Sequence, residues 1–179
     1  MIYLVTGGSG SGKSAYAEEK LCSLGNDNRI YLATMEVSDG EGRKRVERHR
    51  KLRDGKAFKT IEKEKNLKEI KIPKNSLVLL ECMSNLLANE MYSPGGAGEN
   101  AVREILEGIY HLNCQARELV VVSNEVFSDL PADREMQRYL SNLGEINRAI
   151  ACQAVEVAEV VYGIPVFAKS IAAERKSLT

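Results

Sequence analysis

Eight residues near the start of the chain, Gly7-Gly8-Ser9-Gly10-Ser11-Gly12-Lys13-Ser14, follow the pattern G-x-x-x-x-G-K-[ST]. The apolar run Ile2-Tyr3-Leu4-Val5 precedes them, and Ala15, Ala17, Leu21 and Leu24 recur at helical spacing after them. A strand, a glycine-rich turn and a helix N-terminus in that order make an anion cradle. Glycine reaches backbone angles that let successive N–H groups point inward at phosphate oxygens, and the helix adds the positive end of its dipole. Lys13 is placed to reach the β- and γ-phosphates, and the Ser14 hydroxyl to ligate Mg²⁺. A flexible Gly/Ser turn that happens to hold a lysine would lack this strand and helix, so the motif predicts a bound nucleoside triphosphate.

A second concentration of chemistry lies between Arg43 and Arg53, where seven of eleven residues are basic: Arg43, Lys44, Arg45, Arg48, Arg50, Lys51 and Arg53. Such a run is ordinarily a solvated helix face. Here it also suits a polyphosphate and the charge that develops during phosphoryl or nucleotidyl transfer. His49, one of two histidines in the chain, stands in its midst. Surrounding positive charge disfavours a protonated imidazole, and a neutral imidazole can attack phosphorus. The other histidine, His111, falls in an amphipathic helical stretch and reads as structural.

The elements that must position these groups are short apolar runs alternating with helical stretches. Strands are expected at 2–6, 29–33, 77–80, 119–122 and 160–162, and helices at 13–24, 40–53, 99–115 and 133–157. The runs are continuously apolar, as strands covered on both faces are. The alternation predicts an α/β fold with a mainly parallel sheet, right-handed crossovers and helices on both faces. Gly163-Ile164-Pro165 followed by Val166-Phe167-Ala168 predicts a closing hairpin with an antiparallel C-terminal edge, and Ser93–Gly98 a mobile loop. Ligands of such sheets sit beyond the carboxyl ends of the strands. Those ends carry the phosphate loop, Ala33-Thr34-Met35, Glu81-Cys82 and Ser123-Asn124-Glu125. Leu77–Glu81 has the shape of a Walker B element, whose acid holds Mg²⁺ directly or through water, and Glu125 competes for that role.

The 179 residues suit one domain, 1–179, with a core that needs no staples. Lysine plus arginine and aspartate plus glutamate number 25 each. The balanced charge points to no nucleic-acid partner, and no apolar run approaches the ~20 residues of a membrane span. Cys22, Cys82, Cys114 and Cys152 form no C-x-x-C pair, which suits reduced thiols. Met1 leads straight into the first strand, so no signal peptide is expected and the protein reads as cytoplasmic.

The ordered set Thr6-Gly7-Gly8, Ser11-Gly12-Lys13-Ser14, Tyr31-Leu32-Ala33-Thr34 and Arg45-Val46-x-x-His49-Arg50-x-x-Arg53 resembles the bifunctional adenosylcobinamide kinase/adenosylcobinamide-phosphate guanylyltransferase family. Thr60-Ile61-Glu62, Leu79-Leu80-Glu81-Cys82, Val122-Ser123-Asn124-Glu125-Val126, Asn147 and Gly163-Ile164-Pro165 continue the resemblance over about residues 1–169. It implies a RecA-like P-loop NTPase fold that phosphorylates adenosylcobinamide and then transfers GMP from GTP onto adenosylcobinamide-phosphate through a GMP–histidine intermediate. The matching histidine is His49, and Lys13 is the second catalytic residue implied. Nucleotide contacts map onto Gly7, Gly8, Ser9, Gly10, Ser11, Gly12, Lys13, Ser14, Ala33, Thr34, Met35, Arg50, Lys51, Leu52, Arg53, Glu62 and Glu81. Mg²⁺ falls to Ser14 and Glu81. GTP, with ATP in the kinase step, is the implied substrate nucleotide, and a homotrimer the implied assembly.

The chain departs from the family's usual pattern at Phe127, where glycine is common, and at Gly10, where arginine is common. Two other classes stay open on the residues alone. A simple small-metabolite kinase would transfer only the γ-phosphate, and a GTP-sensing module would bind without turnover. The joint presence of His49, Arg50, Arg53 and Glu62 speaks for nucleotidyl transfer.

Overall fold

The structure, a computed structural model, describes residues 1–36, 55–126 and 133–170. In chain order its elements are β1 (Ile2–Thr6), α1 (Lys13–Ser23), β2 (Arg29–Ala33), β3 (Lys59–Glu62), β4 (Ser76–Glu81), α2 (Met83–Tyr92), α3 (Ala101–Gln115), β5 (Ala116–Val122), α4 (Arg134–Gln153), β6 (Glu156–Val161) and β7 (Ile164–Ser170). Single 3-10 turns stand at Leu67–Glu69 and Gly98–Asn100.

These strands make one sheet in the order β3-β2-β4-β5-β1-β6-β7, parallel throughout except for the antiparallel β6–β7 pair. Alternate side chains of the central strands feed two cores. Ile2, Leu4, Ile30, Leu32, Val78, Leu80, Leu119 and Val121 face α2, α3 and α4. Tyr3, Val5, Tyr31, Leu77, Leu79, Val120 and Val122 face α1 through Ala17 and Leu21. Burial on both sides is why these strands read as unbroken apolar runs. The parallel sheet, the helices on both faces and the antiparallel edge are as expected.

Several boundaries differ from the sequence reading. β3 is an edge strand of four mostly exposed residues, without the apolar run that marks a central strand. α2 was not expected, because its buried face includes Ser84, Asn89 and Glu90 beside Met83, Leu86 and Leu87. The last helix ends at Gln153 rather than 157, since Val157 belongs to β6, which begins at Glu156. The hairpin turn is Tyr162-Gly163, with Ile164 and Pro165 already in β7, because Val161 pairs with Ile164. The Ser93–Gly98 stretch, expected as a mobile loop, is held by Gly96 N–H to Ser93 O at 2.9 Å and Ala97 N–H to Glu90 Oε2 at 3.1 Å. The helix expected over 40–53 lies outside the described residues.

Candidate functional site

β1 is buried over its first four residues and delivers the chain to Gly7 at the carboxyl edge of the sheet. Gly7 adopts φ +154°, and a Cβ there would lie 2.6 Å from both Ser11 Oγ and Val160 O. Only glycine therefore lets the loop fold back over the end of β6. The Ser11 N–H donates to Gly8 O at 3.2 Å, and the Lys13 ammonium crosses the loop to Gly8 O at 2.9 Å. Gly12 caps α1 in the left-handed region at φ +91° and supplies no side-chain cap. The N–H groups of the first helical turn are thus left for an anion. The Ser11 hydroxyl is buried without a hydrogen-bond partner, an orphaned donor inside the same cradle.

At the neighbouring strand ends, the Ser14 hydroxyl donates to Glu81 Oε1. The Tyr31 hydroxyl donates to Glu81 Oε2 at 3.2 Å. Glu81 thus lies opposite the first turn of α1. A hydroxyl and a carboxylate in contact are a fitting donor set for Mg²⁺ bound with a triphosphate. At Glu125, the competing acid, the backbone N–H donates to Gly7 O at 3.0 Å, which sets the end of β5 beside the phosphate loop.

The sheet register places Ala33 between Glu62 on β3 and Glu81 on β4, so these three expected residues share one row. Thr34 follows, fully buried. Its hydroxyl donates to Cys82 O at 2.8 Å and accepts from Cys82 N–H at 2.7 Å, while Asn89 Nδ2 donates to Thr34 O at 2.8 Å. Met35 follows it in chain order, half-buried. Burial pushes the Cys82 thiol above its ordinary range, an effect only partly offset by its contact with Ser84. A buried thiol whose thiolate is disfavoured suits a structural role.

Behind the loop, Ser123 donates to Asn147 Oδ1 at 2.6 Å, and Asn124 Nδ2 donates to Ser84 Oγ at 2.6 Å. The Tyr139 hydroxyl donates to Ser84 O at 3.0 Å. These bonds fasten the end of β5 to α2 and α4. His111 Nε2 lies 3.2 Å from Ile70 O, in keeping with a structural role.

The structure thus brings together Gly7 through Ser14, Ala33, Thr34, Glu62 and Glu81 at one edge of the sheet. His49, Arg50, Lys51, Leu52, Arg53 and Phe127 lie outside the described residues. Sequence reasoning missed the part of Tyr31, Asn89 and Ser84 in holding the strand ends. Tyr31 pairs with Leu79, two residues from Glu81 and on the same face of the sheet, a relation that only the strand order reveals.

A family model described as cobinamide kinase / cobinamide phosphate guanyltransferase matches residues 3–167. The bifunctional adenosylcobalamin biosynthesis protein CobU of Escherichia coli (strain K12) is 32% identical over 183 residues, covering 93% of this chain and 98% of that protein. Its namesake in Salmonella typhimurium is 30% identical, with coverage of 93% and 98%. The corresponding protein CobP of Pseudomonas aeruginosa is 28% identical, covering 90% of this chain and 94% of its own length. Among solved structures, the ATPase domain of G40P superposes with a TM-score of 0.50 at 12% identity, covering 88% of this chain and 68% of that chain, a likeness of P-loop fold alone. Sequence, fold and phosphate loop agree: the chain belongs to the cobinamide kinase / cobinamide phosphate guanyltransferase family.

Proposed function

We propose that this protein phosphorylates the aminopropanol hydroxyl of adenosylcobinamide and then transfers GMP from GTP to adenosylcobinamide-phosphate, giving adenosylcobinamide-GDP and pyrophosphate. The observation that carries the reading is the contact of Ser14 with Glu81 beside an open helix N-terminus, in a chain matched to this family over nearly its full length. The loop N–H groups and Lys13 bind and orient the triphosphate. Mg²⁺, held by Ser14 and Glu81, would offset charge on the phosphate oxygens. Tyr31 holds the Glu81 carboxylate in place.

For the second half reaction, His49 attacks the α-phosphorus. An N–P bond forms, the bond to the β-phosphate oxygen breaks, and pyrophosphate leaves. A phosphate oxygen of adenosylcobinamide-phosphate then displaces the imidazole, which is restored. The role of His49, with Arg50, Lys51, Leu52 and Arg53 beside it, rests on the sequence pattern. Its merit is economy: one grip on the β- and γ-phosphates serves both γ-transfer and the departure of pyrophosphate. The homotrimer and the cytoplasmic setting belong to the same reading; among the described residues, no helix is long and apolar enough to cross a membrane.

The test is product analysis by mass spectrometry after incubation with adenosylcobinamide, Mg²⁺ and GTP or ATP. The reading expects the phosphate ester with either nucleotide and the GDP adduct only with GTP. The phosphate ester alone would reduce the protein to a small-metabolite kinase. Nucleotide binding with neither product would leave a sensor.

A further inference from the structure

Between α2 and α4, on the face of the sheet away from α1, lies a cavity of about 450 Å³. Ala88 and Tyr92 of α2 line it, with Asp133, Glu135, Met136 and Tyr139 at the start of α4. Among the described residues, no lysine or arginine stands in that lining. The size suits a small organic molecule.

Packing of the two helices does not account for these side chains. Tyr92 and Met136 are 49% and 45% exposed, so the helices do not close over them. The Tyr139 hydroxyl donates to Ser84 O at 3.0 Å, which leaves its ring as what it can offer a ligand. Asp133 caps α4, its side chain accepting from the Met136 N–H at 2.8 Å. That cap makes no use of Glu135. Both carboxylates act on the Tyr92 hydroxyl, which is pushed above its ordinary range by burial first and then by Glu135, with Arg138 opposing and Asp133 adding. Arg138 itself lies 3.6 Å from Glu99.

This lining selects its occupant by charge. Two carboxylates repel an anion, and a neutral apolar molecule would strip water from them without supplying a partner. A cation with an apolar body satisfies both parts of the lining. Its charge meets the carboxylates and the negative faces of tyrosine rings, and its body packs on Ala88 and the adaptable Met136 side chain. A bare metal ion is disfavoured, since among the described residues no three His, Cys, Asp or Glu side chains gather as ligands.

We propose that the cavity between α2 and α4 binds a small organic cation, an amine or quaternary ammonium on an aromatic or aliphatic body. It includes none of the residues assigned to the nucleotide, so the proposal does not depend on that reading.

The chain contains no tryptophan, so Tyr92→Trp places a single fluorophore in the cavity wall. The probes are benzyltrimethylammonium, neutral benzyl alcohol and anionic benzoate. The cation is expected to change the emission saturably and to bind about tenfold more tightly than benzyl alcohol, with benzoate weaker still. Glu135→Gln in the same background is expected to weaken the cation severalfold and to leave benzyl alcohol unchanged. Calorimetry on the protein without tryptophan should show binding of the cation, its retention in Tyr92→Phe and its loss in Tyr92→Ala. Tripolyphosphate with Mg²⁺ should leave that affinity unchanged. Equal affinity for the three probes would overturn the proposal, since it would mark a merely apolar surface. So would the absence of saturable binding, or displacement of the cation by tripolyphosphate, which would place the cavity within the nucleotide site.

Discussion

The Lys56 ammonium meets the Glu18 carboxylate at 2.7 Å and so ties the chain just before β3 to the helix that begins at the phosphate loop. Glu18 is fully buried while Lys56 is 31% exposed, and Lys56 O accepts from Arg29 Nη1 at 2.9 Å. Lys56→Met leaves a buried carboxylate unpaired, and a loss on the order of 3 kcal/mol is expected. Lys63→Met breaks only the surface pair with Glu69 and is expected to cost less than about 1 kcal/mol. Urea denaturation of the two variants side by side checks the contrast; equal midpoints would refute it.

Gly7→Ala drives a methyl into Ser11 Oγ and Val160 O. Val160 O is backbone and cannot rotate away, so the loop itself must shift. Misplacing a cradle whose value lies in pre-set N–H groups is expected to weaken GTP binding about 100-fold, measured by calorimetry. Gly10→Ala is the comparison, since nothing lies within 4 Å of the position a Cβ would take there. Its effect should be smaller, coming from the left-handed φ of +74° alone.

Glu81→Gln keeps a side chain that can bond Ser14 and Tyr31 but removes the charge. Turnover should fall about 10–100-fold, with the Mg²⁺ requirement shifted to higher concentration. Tyr31→Phe removes one hydroxyl from the same carboxylate and should give a smaller fall of the same kind. A Mg²⁺ titration of initial rates separates these results from simple unfolding.

Burial pushes the Tyr3 and Tyr139 hydroxyls up to about 12, with the carboxylates of Glu118 and Glu156 adding to the effect on Tyr3. The unfolded chain ionises them near 10.0. The folded state therefore holds these protons more tightly. Their contribution to stability is complete below pH ~10 and is lost as pH rises toward ~12. Tyr139→Phe should flatten the alkaline decline and lower stability at neutral pH by about 1 kcal/mol, through loss of the bond to Ser84 O. Denaturation midpoints at neutral and alkaline pH report both effects.

The part of the fold that the sequence made legible is the part whose physics is local. Strands such as Leu77–Leu80 and Leu119–Val122 are covered on both faces, so their composition alone marks them. The phosphate loop announces itself through glycines that the turn requires. β3 is short and exposed, with Ile61 its one partly buried apolar residue, and only its pairing with β2 makes it a strand. α2 hid because Asn89 and Glu90 are buried for their bonds to Thr34 O and the Asn66 N–H, not for hydrophobicity. In the site, Lys13, Ser14 and Glu81 could be read from pattern. The grip of Tyr31 on Glu81 depends on which strands lie side by side, which no local window contains.

The covalent step at His49 is the centre of the proposed function. The most direct measurement incubates the protein with Mg²⁺ and GTP labelled at the α- or the γ-phosphate, then counts label on the denatured chain. Label from the α-position alone, acid-labile and absent in His49→Ala, is the predicted result. GTP binding without α-label on the protein, or α-label that persists in His49→Ala, would contradict it.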